Sequence, residues 1–179
     1  MDADLLNKVV AVNGDITEEN FGLDEESQTL LFENVNIVFH SAATVRFDED
    51  LTKSVSMNIK AVSTVISLAR KMKNLEALVD VSTAYCNCDL KHIEEKIYKA
   101  PLDPQAVIDL CRVLDAEKLN RQEITGIVIG DKPNTYTFTK ALAENILAVE
   151  GKGLPIAIIR PSIVAAAWKD PFPGMQTFF

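Results

Sequence analysis

The sequence of 179 residues is long enough for one domain with a buried core and too short for two ordinary ones. Hydrophobic residues make up 47% of the chain and charged residues 25%, a balance typical of a folded globular protein rather than a disordered one. The formal net charge of -8 argues against nonspecific binding to nucleic acid or to an anionic membrane surface, because both attract basic proteins.

The first half of the chain predicts alternating strands and helices. The β-branched run at residues 8–13 predicts a buried strand, and residues 24–33 predict a short amphipathic helix. A second apolar strand is predicted at residues 36–40. Between residues 49 and 72, apolar side chains recur at steps of three and four, which predicts a long amphipathic helix.

The second half continues the alternation. Residues 75–81 predict a strand, and residues 86–131 predict an irregular acidic insertion that contains a helix over 104–121. Asp131 and Pro133 predict the start of a helix that ends near residue 150, and residues 156–159 predict the last strand. Because strands and helices alternate, the sequence predicts an α/β fold with a mostly parallel sheet.

Tyr136 and Lys140 are the most informative pair. A spacing of four places the phenol and the ammonium on one helical face, about a turn apart. A nearby cation favours the ionised form of a phenol, so Tyr136 can pass a proton to a carbonyl oxygen. The apolar residues of this helix lie on the opposite face: Phe138, Leu142, Ile146 and Val149. This pattern predicts that the pair points away from the core, although a surface helix produces the same spacing by chance.

Ser82 and Thr83 directly follow the strand predicted at residues 75–81. Open α/β sheets place ligand-contacting residues at such strand ends. A hydroxyl there can donate a hydrogen bond to the same carbonyl oxygen as Tyr136. A plain turn at the end of a strand is the alternative interpretation, because Ser and Thr favour turns.

Together these features resemble the extended short-chain dehydrogenases. That family carries a Ser or Thr after its fifth strand, Tyr-x-x-x-Lys on the next helix and an Asn on the helix before, and Thr83, Tyr136, Lys140 and Asn58 match this order. Four longer segments are similar, within that group, to the fatty acyl-CoA reductases: VFHSAATVRFDE at 38–49, VSTAYCN at 81–87, PNTYTFTKALAE at 133–144 and RPSIV at 160–164.

The resemblance implies a Rossmann-type, doubly wound sheet and a role for each catalytic residue. Tyr136 is the implied proton donor, and Lys140 favours its ionised form and contacts the nicotinamide ribose. Thr83 is the hydroxyl that polarises the carbonyl, with Ser82 as the second candidate. Asn58 supports the proton relay through water; its alternative role is a polar flank on an amphipathic helix.

The resemblance also implies contacts with NADPH. Asp15, after Gly14, is the implied adenine contact, with a simple turn after the strand as the alternative. Small residues let the dinucleotide approach the backbone, and a later segment runs beside the nicotinamide. These two segments are Ser41, Ala42 and Ala43, and Pro161, Ser162 and Ile163. His40 is interpreted as a packed residue at a strand end.

No metal site is predicted. The cysteines and one histidine include metal-ligand types, but their spacing matches no ordinary zinc pattern. These residues are Cys86, Cys88, His92 and Cys111. The odd number of cysteines favours a reducing, intracellular environment, and the chain carries neither a signal-peptide pattern nor an apolar run long enough to span a membrane.

The implied activity is reduction of long-chain fatty acyl-CoA to fatty alcohol with NADPH by the full-length relative. The alternatives are another extended dehydrogenase, acting on a sugar nucleotide or ketone, and a non-catalytic domain that retains the fold. The sequence contains no G-x-x-G-x-x-G. We therefore expect residues 1–179 to form a partial reductase domain without the first phosphate-binding βαβ unit, poorly soluble and inactive alone. Membrane association, at the endoplasmic reticulum or peroxisome, is expected only through regions outside this sequence.

Overall fold

The computed structural model describes residues 7–169 and 172–175. Its sheet has three parallel strands, β1 (Ile37–His40), β2 (Ala77–Val81) and β3 (Ile156–Ile159), in the order β1-β2-β3. All three lie within a residue or two of the predicted strands. The carboxyl ends of the strands therefore meet at one edge of the sheet, which confirms the predicted α/β class.

Six helices in the described residues connect or flank these strands. Five of them are regular α-helices: α1 (Glu25–Asn34), α3 (Pro104–Val113), α4 (Ala116–Leu119), α5 (Gln122–Ile129) and α6 (Thr135–Glu150). Helix α2 is continuous but irregular, because a π-helical turn, Ser56–Lys60, joins Leu51–Val55 to Ala61–Ala69. Single-turn 3-10 helices occupy Glu19–Gly22 and Ala84–Asn87. The predicted helix over residues 49–72 thus corresponds to α2, apart from its ends.

The prediction of a buried strand at residues 8–13 is wrong. The described residues of this segment form no strand, and Val9 and Val10 are 73% and 74% exposed. A strand is held by hydrogen bonds to a neighbour, and no described residue pairs with this segment. Its β-branched composition alone does not make it a strand.

Two predicted helix boundaries differ from the structure. Helix α3 ends at Val113 rather than at residue 121, because Asp115 caps a new helix by accepting a hydrogen bond from the Glu117 N–H at 2.9 Å. The insertion at 86–131 is therefore more helical than predicted. Helix α6 begins after Asn134, whose side chain accepts from the Thr137 N–H at 2.9 Å, so Asp131 and Pro133 precede the helix.

The two faces of the sheet differ in burial. Side chains alternate along each strand, and Leu78 and Asp80 point to the side on which α2 and α6 pack. The core on that side is apolar and fully buried: Leu51, Val55, Ile59, Leu78, Phe138 and Leu142. On the opposite side Ile37 and Phe39 are 52% and 71% exposed.

Candidate active site

The candidate residues gather at the carboxyl edge of the sheet, beside the first half of α6. Backbone hydrogen bonds fix the strand ends to one another: the Ser82 N–H donates to the Ile159 carbonyl at 2.8 Å, and the Ala84 N–H donates to the Pro161 carbonyl at 3.0 Å. The predicted catalytic residues lie on three elements around this edge. Asp15 lies elsewhere, in the loop before α1.

Tyr136 lies in the first turn of α6 and is half-buried. Its ring packs beside the Phe47 ring, with centroids 5.6 Å apart and planes tilted by 41°. The Tyr136 hydroxyl makes no hydrogen bond to any of the residues that the structure describes. The phenolic proton is therefore not engaged in holding the fold together.

Lys140 is buried, at 5% exposure, on the face of α6 that the sequence analysis directed away from the apolar core. Its Nζ donates to the Val81 carbonyl at the end of β2, at 2.7 Å. It is covered because this face of α6 packs against the end of β2. Burial lowers the pKa of Lys140, and the carboxyl groups of Asp80 and Glu144 oppose that shift.

The predicted apolar face of α6 is confirmed for three of its four residues. Phe138, Leu142 and Ile146 are at most 3% exposed and belong to the core. Val149 is 66% exposed, contrary to expectation. It lies in the last turn of α6, beyond Leu147, the last residue of this helix in the core cluster.

Ser82 and Thr83 are both buried, but their hydroxyls are used differently. The Ser82 Oγ donates to Glu144 Oε1 at 2.6 Å, so its proton is committed to a carboxylate. The Thr83 Oγ1 accepts from the Tyr85 N–H at 3.2 Å, which caps the 3-10 turn and leaves the Thr83 proton free of any described partner. This difference favours Thr83 as the donor to a carbonyl oxygen.

Asn58 is buried and joins two segments by hydrogen bonds, rather than lying at the polar edge of an amphipathic helix. It lies in the π-helical turn of α2 and is 2% exposed. Its Oδ1 accepts from the Thr44 N–H at 3.0 Å, and its Nδ2 donates to the Thr44 carbonyl at 3.2 Å and to Thr139 Oγ1 at 3.0 Å. These bonds fix the segment after β1 to α6, one residue from Lys140. Such π-helical turns are frequent at functional sites.

Asp15 is exposed, and its carboxylate already has partners. Its Oδ1 accepts from the Thr17 N–H at 2.8 Å and from the Thr17 hydroxyl at 2.6 Å, which lowers the pKa of Asp15. Gly14 is required here, because a Cβ atom would come within 2.9 Å of the Phe21 carbonyl oxygen. An apolar cavity of about 390 Å³ adjoins the loop, lined by both residues and by side chains of α1 and α2, among them Val65.

The other predicted cofactor contacts are accessible at the strand ends. Ser41 and Ala42 are exposed after β1 and Ala43 is half-buried. After β3, Pro161 is half-buried, whereas Ser162 and Ile163 are exposed. His40 is 7% exposed, which agrees with its interpretation as a packed residue.

A buried ion pair that the sequence analysis missed supports the site. Arg160 donates from Nε to Glu144 Oε1 at 2.8 Å and from Nη2 to Oε2 at 2.7 Å. Burial opposes ionisation of Glu144, but hydrogen bonds from Arg160 and Ser82 outweigh it and lower its pKa. Cys86 also donates to Glu144, at 3.3 Å, and burial raises the pKa of this thiol to about 12. The partners of Glu144 come from distant segments, so no local pattern in the sequence indicates this cluster.

Asp80 is the second residue that sequence reasoning missed. It is 1% exposed, and neither carboxyl oxygen has a hydrogen-bond partner among the described residues. Burial raises the pKa of Asp80 to about 6, opposed by the charge of Lys140. Its register partner His40 has its pKa lowered to about 4, by burial and by the same lysine. Alternation with Leu78 in the strand is the signal that would have placed Asp80 inside.

Within residues 7–169 and 172–175, no group of three or more His, Cys, Asp or Glu side chains is arranged to hold a metal ion. Over the same residues, no helix combines the length and apolarity needed to cross a membrane.

Comparison with known proteins adds a family and two kinds of relatives. An NAD-binding family model described as "Male sterility protein" matches residues 1–178. The chain is 48% identical over 171 residues to fatty acyl-CoA reductase 1 of Pongo abelii and 46% identical over 167 residues to fatty acyl-CoA reductase 2 of Bos taurus. These alignments cover 96% and 93% of this chain, but only 33% and 32% of the relatives. The chain therefore spans about a third of the length of these relatives.

One solved structure supports the fold. The terminal R domain from the myxalamid PKS-NRPS biosynthetic pathway superimposes with a TM-score of 0.60 and 21% sequence identity. The match covers 93% of this chain and 36% of that domain. At this identity the likeness establishes the Rossmann-type fold and nothing about substrate.

Proposed function

The chain belongs to the Male sterility protein family of NAD-binding domains, and on that premise we propose that the full-length protein reduces long-chain fatty acyl-CoA to fatty alcohol with NADPH. Sequence identity of 46–48% to fatty acyl-CoA reductases supports the substrate class. The proposal rests on the unengaged Tyr136 hydroxyl, one helical turn before Lys140, whose Nζ reaches the end of β2 two residues before Thr83.

Each reduction adds a hydride to the carbonyl carbon and a proton to the carbonyl oxygen. In our proposal Tyr136 donates that proton, and the Thr83 hydroxyl donates a hydrogen bond to the same oxygen. Lys140, held by the Val81 carbonyl, contributes a positive charge that stabilises negative charge on the Tyr136 oxygen. The first reduction releases the CoA thiol and leaves an aldehyde; the second converts the aldehyde to an alcohol.

The residues present fit a nicotinamide dinucleotide. Small residues at the end of β1 leave backbone accessible, and the cavity beside Asp15 is apolar enough to receive a base. Ser41, Ala42 and Ala43 would lie along the dinucleotide, and Pro161 would lie beside the nicotinamide, which supplies the hydride when bound. Asn58 holds the segment after β1 in place for this contact.

The test incubates the purified full-length protein with palmitoyl-CoA and NADPH or NADH, and measures fatty alcohol by gas chromatography and cofactor oxidation by absorbance. We expect alcohol with NADPH and two cofactor molecules oxidised per alcohol. Turnover of a UDP-sugar or a ketone but of no acyl-CoA would contradict the proposed substrate, and no turnover of any substrate would favour a non-catalytic domain.

We propose that the full-length protein is located at the endoplasmic reticulum or peroxisome. Fluorescence microscopy of the tagged full-length protein tests this location.

A further inference from the structure

The segment between β1 and α2 presents two apolar side chains to solvent, and one of them packs beside Tyr136. Val45 is 60% exposed and Phe47 is 64% exposed. The Phe47 ring packs beside the Tyr136 ring, at 5.6 Å between centroids. Exposed apolar side chains next to a catalytic group are a common feature of sites that bind apolar ligands.

This segment is fixed at both of its ends. At one end, Asn58 makes two hydrogen bonds to the backbone of Thr44. At the other end, the Thr135 hydroxyl donates to the Glu49 carbonyl at 3.0 Å, and Thr44 Oγ1 donates to Glu49 Oε2 at 3.2 Å. Thr135 is the residue before Tyr136, so the segment is attached to the same turn of α6 as the proposed proton donor. The position of Phe47 relative to Tyr136 is therefore set by the fold.

We infer that Val45 and Phe47 form an apolar shelf that binds the first carbons of the acyl chain, an inference that rests on the proposed function. The acyl chain begins one bond from the carbonyl carbon, and the carbonyl oxygen must reach the Tyr136 hydroxyl. A side chain in contact with the Tyr136 ring therefore lies within reach of those carbons. Phe47 is a substrate contact in this arrangement, and Thr44 and Glu49 are positioning residues.

The test measures steady-state kinetics of the full-length enzyme with palmitoyl-CoA at saturating NADPH. For Phe47→Ala we expect KM to rise about tenfold with kcat within twofold, because the lost contact is the same in ground state and transition state. Phe47→Leu keeps the apolar area and should have a KM within about threefold of the parent. The NADPH dissociation constant and the pH profile of kcat should not change. Ile127→Ala, another exposed apolar residue at 78% exposure on α5, is the matched control and should behave as the parent.

Two outcomes for the variants would overturn the inference. Parent-like kinetics for Phe47→Ala would show that the shelf does not touch the substrate. A fall in kcat with a shifted pH profile that Phe47→Leu does not restore would show that Phe47 only positions Tyr136. If the parent enzyme itself forms no fatty alcohol, the proposed function is wrong, and the inference is overturned with it.

Discussion

Replacing Asp80 with Asn should stabilise the domain, and more so as the pH rises. Burial raises the pKa of this carboxyl from its ordinary value of 3.8 to about 6, so the folded state disfavours the charged form. The free energy of unfolding therefore falls as the pH rises from 3.8 to about 6, and it does not change for this reason at lower pH. At about 1.4 kcal/mol per pKa unit, the pKa difference between the folded and unfolded states costs about 3 kcal/mol once Asp80 is ionised in both states. Asn resembles the neutral carboxyl and avoids that cost.

The assay compares urea unfolding of parent and Asp80→Asn chains between pH 4 and pH 8. The linkage relation predicts that the variant is more stable by about 0.5 kcal/mol at pH 4 and by about 3 kcal/mol at pH 8. His40, Lys140 and Glu144 are present in both chains, so the two chains differ only in the side chain at position 80. Asp109→Asn, at an exposed carboxyl on α3, is the control and should show no such trend. A difference that stays constant with pH would refute the reasoning.

Two further predictions concern the ion pair and the cofactor. Glu144→Gln removes one charge of a buried pair and should lower the free energy of unfolding by about 3 kcal/mol, whereas Glu117→Gln, in an exposed pair with Arg121, should change it by less than about 1 kcal/mol. Equal effects of the two variants on urea unfolding would contradict the role of Glu144. The 179-residue chain contains no G-x-x-G-x-x-G, so calorimetry should detect no saturable NADPH binding to it alone. A micromolar dissociation constant would contradict this prediction.

The sequence was sufficient to predict the three strands, because each is a short apolar run with residues that end strands on both sides. It also placed Ser82 directly after a strand, where the structure has it donating to Glu144 on the helix that carries Tyr136. Helical spacing correctly predicted that Phe138 and Leu142 are buried. Each of these predictions depends on local pattern and on the general geometry of parallel sheets.

The features that the sequence did not predict have a common physical reason. A local pattern does not show which distant segments of the chain pack against it. Lys140 is buried because α6 also contacts the end of β2, which its spacing from Tyr136 cannot reveal. Residues 8–13 have strand composition but no hydrogen-bonding neighbour among the described residues. The partners of Glu144 come from segments far apart in the chain, Ser82 and Arg160, and only the fold brings them together.

The most direct test of the account is Tyr136→Phe in the full-length enzyme. The substitution removes only a hydroxyl that makes no hydrogen bond to the described residues, so folding and NADPH binding should be preserved. Reduction of palmitoyl-CoA should fall by a factor on the order of a hundred or more, because the proton donor to the carbonyl oxygen is lost. Measured kcat and the NADPH dissociation constant decide the matter together. A kcat within a few-fold of the parent, with unchanged NADPH binding, would contradict the assignment of Tyr136 as the acid.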